Sequence, residues 1–573
     1  MSMKRYTSIT RKFYEQTLAS GAKVLEEFEI ETENAYQTNC DFLMRVLKDN
    51  AGTEYGKRYG FADINSIDEF QKRVPVICYD NISQLLERMA EGEKNVLTAY
   101  PFNHMNDTSG TVGNYKLVPL TAEQTGIFMK YDFLLNMAIM NKYLDDRWMD
   151  GRCFATSEGK HRTLPSGITR GSASSVMARC VQGGLAAYDS QMRMLFTSPV
   201  EASLPKAGDN TKYLHSRFAL MDGDITGIIT GFFSHIVLYL NYITENYNLL
   251  IDDIERGTIS EEIILSPETR ESLKDKITPM PGRAAELREI FRNGADFQWM
   301  PKVWPKMLFI RGVGTSGFSI YDRIIKERYS GDNLTCFYSG LSATEVLTSV
   351  FVEPNSPSSA MLPGSAFFEF LPVDAGDDYS QIVTMDKVEM GKVYELIVTN
   401  ACGFYRYRTS DAVKVTGFYN TSPRIEFVYR TNRTINMVGE KVTEKDLQWA
   451  VEHTCDDMNL SLADFSVYAD QQAVPGQYVF LVELFRQPTD LDRHRFAVLL
   501  EKYLCEASFV YKYELGLKNL APLKVLFLQP ETNLLYRDMM MIQGASPSQL
   551  KPVRIIMNEQ QKRFFFKFVE EEQ

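Results

Sequence analysis

The stretch Asp107-Thr108-Ser109-Gly110-Thr111-Val112-Gly113-Asn114-Tyr115-Lys116 gathers the ingredients of a phosphate-binding loop. Closely spaced glycines let backbone amides approach phosphate oxygens, Ser109 and Thr111 add hydroxyl donors, and Lys116 can neutralise developing negative charge. No Gly-Lys-Ser/Thr closes the loop, so its spacing is not the Walker pattern of nucleoside triphosphatases. Read alone, the same residues also suit a surface turn. A second cluster, Tyr405-Arg406-Tyr407-Arg408-Thr409-Ser410-Asp411, sets guanidinium groups that can grip oxyanions beside a carboxylate that can accept both hydroxyls of a ribose. The alternative for it is an Arg–Asp network at a turn.

Both clusters need a scaffold, and the chain is long enough to supply one. Its 573 residues, 44% hydrophobic and 24% charged, exceed one ordinary core and exclude wholesale disorder, so two or more domains are expected. Sixty-two Lys+Arg against 74 Asp+Glu leave a net charge of -12, which argues against a protein that holds nucleic acid through its overall field. The eight cysteines include no close pair of the kind that builds zinc knuckles or redox sites, which fits a reduced, cytoplasmic protein without a structural metal. The basic start Met1-Ser2-Met3-Lys4-Arg5 leads into Tyr6-Thr7-Ser8, not into an apolar signal segment, so secretion is not expected. The most apolar long region, Phe218 to Leu240, is broken by Asp222, Asp224 and His235 and reads as buried helix, not as a membrane span.

Helical spacing dominates the opening of the chain, where Phe42, Val46 and Leu47 share one face. Met307-Leu308-Phe309-Ile310 suits a buried strand ending at Arg311-Gly312. Val393 to Thr399 and Phe404 to Arg408 read as two strands joined by a tight turn at Cys402-Gly403, and Ile425 to Tyr429 as another strand. The polar stretch Arg430-Thr431-Asn432-Arg433 is the expected hinge, dividing a large N-terminal domain, 1–429, from a smaller C-terminal one, 430–573. In the latter, Thr443 caps a helix through Val451, and Tyr478 to Phe485 and Leu523 to Leu528 suggest strands, which gives an α+β domain. The terminal Gln561 to Phe568, with three cations and four aromatics, reads as a strand or amphipathic tail packed on that domain.

Taken in order, these segments resemble the adenylate-forming superfamily and, more closely and over most of the chain, the GH3 family of acyl acid amido synthetases. Besides the two clusters, the likeness runs through Phe367-Phe368-Glu369-Phe370-Leu371-Pro372, Gly391 to Asn400, Gly403 to Asp411, Val415-Thr416-Gly417-Phe418 and Pro423. The resemblance implies an α/β fold with a large N-terminal adenylate-forming domain and a smaller mobile C-terminal α+β domain. It also implies an ATP- and Mg2+-dependent ligase that adenylates a small carboxylic acid and passes the acyl group to an amine or amino acid. By the same resemblance, Ser109, Gly110, Thr111, Gly113 and Lys116 face the ATP phosphates, Asp411 the ribose and Arg408 the nucleotide neighbourhood. Ala343-Thr344-Glu345 matches the nucleotide-site motif, with Thr344 toward phosphate and Glu345 toward the divalent ion. Lys551 matches the lysine of the C-terminal Gln-x-Lys-x-Pro-Arg region, displaced here so that Pro552 follows it directly. A mobile ammonium there would neutralise charge between the acyl carboxylate and the α-phosphate.

Leu341 stands where many plant members have a tyrosine, so either Phe337 or Tyr338 stacks on adenine instead or the nucleotide is held differently. For the acyl pocket, Arg217 is the candidate partner of the substrate carboxylate and Phe232 and Phe233 the candidate apolar wall, although core packing accounts equally for a phenylalanine. Arg170 and Lys160 are candidates for an acceptor carboxylate, and His161 and His215 for proton acceptors. No nucleic acid, integral membrane association or obligate protein partner is expected. Two other readings stay open: thioester formation through the same acyl adenylate, and a non-catalytic binder of acyl acid or nucleotide.

Overall fold

The computed structural model describes residues 3–570, apart from 108–115, 157–158, 160, 172–188, 190–191, 296–297, 432–433, 439, 441, 487–491, 544 and 546–549. The chain divides into two compact units. The larger comprises Met1–Gly314, Ile325–Thr409 and Val413–Glu426, and the smaller Thr315–Ile324, Ser410–Ala412 and Phe427–Gln573.

Helices open the larger unit. Ala35–Asn50 buries Phe42, Leu43, Val46 and Leu47 along one stripe, as its apolar spacing dictates. Among the described residues three sheets follow. One orders Leu117–Thr121, Phe102–Asp107, Thr169–Gly171 and His161–Thr163. A parallel sheet orders Cys153–Ala155, Gly227–Phe232, Phe309–Val313 and Thr335–Tyr338, with parallel pairing throughout. A seven-stranded sheet includes Phe367–Pro372 between Val383–Thr384 and Val393–Thr399, all antiparallel. Phe367–Pro372 is buried on both faces, and Phe367, Phe368, Phe370, Leu396 and Val398 all belong to the main core.

The region from Phe218 to Leu240 corrects the expectation of one buried helix. It holds the end of helix Thr211–Met221, the strand Gly227–Phe232 and the start of helix Phe233–Arg256. A strand inside a parallel sheet is covered on both faces, so its apolar run has no alternation to separate it from a buried helix. Gly227 is required where it stands, since a Cβ there would lie 2.2 Å from the Phe309 ring.

In the smaller unit, Leu462–Asp470 pairs antiparallel with Gly476–Leu484, which pairs parallel with Leu520–Phe527. Helix Glu444–Asp457 starts at a reciprocal cap in which Thr443 and Asp446 each satisfy the other's backbone N–H. The chain end forms the amphipathic helix Glu559–Lys567, with Phe565 fully buried. Among the described residues no helix is long and apolar enough to cross a membrane.

Candidate active site

In the larger unit, Asp107 stands opposite Leu117 in the antiparallel pair that flanks residues 108–115. Arg170 fixes the first end by an ion pair with Asp107, which engages it away from the acceptor role considered for it. At the second end, the Leu117 N–H donates to the Tyr79 hydroxyl at 2.7 Å, and the Lys116 ammonium lies 5.3 Å from the centre of the Tyr79 ring. Burial raises the Tyr79 phenol pKa, and the Leu117 N–H works against that rise. Ser109, Gly110, Thr111 and Gly113, expected at the phosphates, and Lys160 lie outside the described residues.

Thr344 and Glu345 form the tip of a hairpin. Ala343 and Val346 exchange backbone hydrogen bonds at 2.8 and 3.2 Å, which leaves a two-residue loop between them. Gly340 is obligatory below it, because a Cβ there would fall 2.1 Å from the Ser349 carbonyl oxygen. The tip is pinned by Asn400, whose side-chain N–H donates to the Glu345 carbonyl at 2.7 Å while its oxygen accepts from the N–H groups of Cys402 and Phe404. One buried amide thus joins the tip to the turn that leads into Tyr407.

Tyr407 connects the two parts. The Lys116 ammonium donates to the Tyr407 hydroxyl at 3.3 Å, and that hydroxyl donates to Glu345 Oε1 at 3.4 Å. Its backbone is clipped to the segment before Tyr79, with Ile77 N–H donating to the Arg406 carbonyl at 3.0 Å and Arg408 N–H to the Ile77 carbonyl at 2.9 Å. Arg406, at a left-handed φ of 49°, turns inward to a paired hydrogen bond with Glu369 at 3.0 and 2.9 Å and donates to the carbonyls of Gln71 and Val74. Sequence reasoning gave Tyr407, Tyr79 and Asn400 no role. The available signal was an aromatic between two arginines at strand spacing.

Arg408, expected near the nucleotide, is gripped by Glu395 at 2.9 and 2.8 Å and by Asp377 at 2.5 Å. These hydrogen bonds, Glu395 first, hold its guanidinium protonated far above the ordinary value. In the smaller unit, Asp411 is buried and accepts from Arg430 Nε at 3.0 Å. Lys551 belongs to a segment laid along Leu462–Asp470: Val467 N–H donates to the Arg554 carbonyl and Ile556 N–H to the Val467 carbonyl, both at 2.8 Å. Arg554 anchors it, buried on Asp464 and donating to the Phe465 carbonyl at 3.0 Å.

The acyl-pocket expectations meet a different environment. Arg217 is fully enclosed and donates to the Tyr213 hydroxyl at 2.9 Å and the Asp253 carbonyl at 3.1 Å, so its charge serves an internal network and not an open carboxylate site. Phe233 is also fully buried, fitted beneath Gly314, where a Cβ would meet its ring at 2.4 Å. Phe232 is half-buried, its ring edge-on to His235 at 5.4 Å. Phe337 is core, 5.1 Å from Phe351, whereas Tyr338 is half-buried and 5.9 Å from Phe233, so Tyr338 is the more exposed of the two. His215 is buried, shares a 2.7 Å hydrogen bond with Ser198, and has its pKa lowered by burial from 6.5 to about 4. His161 is exposed on its strand.

For the implied divalent cation, Glu345 supplies a carboxylate at the Lys116–Tyr407 junction. Among the described residues no group of three or more His, Cys, Asp or Glu forms a cage. That donor set fits Mg2+, which takes one or two carboxylates and completes its shell with water and substrate phosphate.

The sequence carries the GH3 family N-terminal domain at residues 24–334, its central domain at 359–430 and its C-terminal domain at 445–560. The chain belongs to the GH3 family. Among its relatives, the indole-3-acetic acid-amido synthetase GH3.3 of Arabidopsis thaliana is 28% identical over 93% of this chain and 91% of its own length. The jasmonoyl–L-amino acid synthetase JAR6 of Nicotiana attenuata is 28% identical over 85% of this chain and 86% of its own. The solved GH3.15 acyl acid amido synthetase superposes with a TM-score of 0.84 at 24% identity, covering 96% of both chains, which establishes the shared fold. This GH3 architecture is the α/β body with a smaller α+β C-terminal region expected from the sequence.

Proposed function

We propose that this GH3 chain is an ATP-dependent acyl acid amido synthetase. It adenylates a small carboxylic acid, with release of pyrophosphate, and then transfers the acyl group to an amine, an amino acid by analogy with the auxin and jasmonate relatives. The observation that carries this reading is the convergence of Lys116 and Glu345 on Tyr407 within a chain spanned by the three GH3 domains.

In this reading Lys116, with Ser109, Gly110, Thr111, Gly113 and Thr344, binds the phosphates, and Glu345 holds the Mg2+ that accompanies them. Asp411 takes the ribose hydroxyls, Tyr338 faces the adenine, and Lys551 meets charge at the α-phosphate during adenylation. The stretch after residue 429 serves as the hinge between the two half-reactions. Arg408 acts through Glu395 and Asp377 as a brace of this strand, not as a direct phosphate ligand. The mixed anhydride supplies the activation for amide formation, so no hydrolytic triad is needed.

The test is pyrophosphate release with ATP, Mg2+, a panel of carboxylic acids and pooled amino acids, followed by mass spectrometry. Acid-dependent release with AMP and a new amide mass is expected. A thioester mass with coenzyme A and no amide would favour the thioester ligase, and absence of both release and nucleotide binding the non-catalytic binder. Lys551→Ala is expected to lose adenylation while retaining nucleotide binding; unchanged adenylate formation would sink its catalytic role.

A further inference from the structure

Lys116 carries only donors and Glu345, when ionised, only acceptors, so the two are natural partners for each other. Instead they meet at the two sides of one hydroxyl, which accepts from the ammonium at 3.3 Å and donates to the carboxylate at 3.4 Å. The hydroxyl cannot drift, because Tyr407 is 2% exposed and its ring is held edge-on to Phe404 at 4.9 Å. The flanking backbone is tied to Ile77, and Arg406 next to it is locked to Glu369. Lys116 is braced from the other side by the Tyr79 ring, and the Glu345 tip by Asn400.

We propose that Tyr407 is the positioning residue of this site: its hydroxyl separates the Lys116 ammonium from the Glu345 carboxylate and so keeps one for phosphate and the other for the divalent cation. The inference rests on the phosphate and cation roles given above to Lys116 and Glu345. Without the hydroxyl, the flexible lysine closes directly onto the carboxylate, and an incoming phosphate must break that ion pair before it can bind.

The experiment is calorimetric titration of the full chain with ATP plus Mg2+, for wild type, Tyr407→Phe, Glu345→Gln and the double variant, with thermal melts of each. Tyr407→Phe keeps the buried ring and is expected to fold and to bind roughly tenfold more weakly, the scale of one hydrogen bond to a charged group. In the Glu345→Gln background the same change is expected to cost much less, because no carboxylate remains to capture Lys116; this non-additivity is the signature of positioning. Equal losses in both backgrounds, unaltered binding in Tyr407→Phe, or failure of Tyr407→Phe to fold would each place the hydroxyl in the scaffold and overturn the proposal. Lys116→Met separates the two levels. If it leaves binding unaltered, the phosphate role of Lys116 fails; if it weakens binding while Tyr407→Phe does not, only the role of Tyr407 fails.

Discussion

Arg406 and Arg408 sit two residues apart in one motif, yet burial gives them different duties. Arg406 is almost fully enclosed with Glu369, at 6% and 1% side-chain exposure, and its remaining donors reach backbone carbonyls. Such a pair adds little net stability, but breaking it strands a charge away from water. Arg406→Met should therefore destabilise the larger unit by roughly 3–5 kcal/mol, measured by denaturant unfolding. Adding Glu369→Met should recover a large part of that loss, and failure to recover would mean that the Arg406 carbonyl contacts carry the effect. The sequence marked this motif as site-forming from its arginines and aspartate. It could not tell which guanidinium turns inward, because that depends on a positive φ at Arg406 and on Glu369, 37 residues away. Arg217 was misjudged for the same reason: its partner Asp253 sits on the next helix.

Elements were legible where local chemistry decides them. Strand Val393–Thr399 follows from its β-branched run, and helix Glu444–Asp457 from its Thr443 cap. The region around Gly227–Phe232 was not legible, because tertiary covering of both faces erases the periodicity that separates strand from helix. Ala343-Thr344-Glu345 is legible as a motif, but the hairpin that presents it is supported by Asn400 in a long-range contact, 55 residues away, that composition does not encode. Asn400 satisfies three backbone groups from a buried position, so its removal leaves donors and an acceptor without partners. Asn400→Ala should cost about 1–3 kcal/mol in unfolding free energy. It should also speed amide exchange at the Ala343–Val346 tip, whereas unchanged exchange there would show that the tip holds itself.

At the scale of the whole molecule, the two units carry buried titrating groups of opposite pH response. His215, in the larger unit, has its pKa lowered by burial to about 4. The unfolded chain therefore takes up a proton near 6.5 that the folded chain refuses, so this contribution is full above pH 6.5 and is lost as pH falls toward 4. Glu483, in the smaller unit, is raised from 4.5 to about 7, burial outweighing the donors of Asn533, with the charge of Asp464 adding to the rise. Asp464 stands directly opposite it across the strand pair. Here the folded state keeps a proton that the unfolded state releases, so this contribution is full below pH 4.5 and is lost as pH rises through 7. Each effect is worth about 3 kcal/mol. Hydrogen exchange of the full chain, corrected for intrinsic rates, should show residues 211–221 losing protection between pH 6.5 and 4.5 and residues 476–484 losing it between pH 5 and 8. Glu483→Gln should flatten only the second trend. If that trend survives the substitution, Glu483 is not the group that carries it.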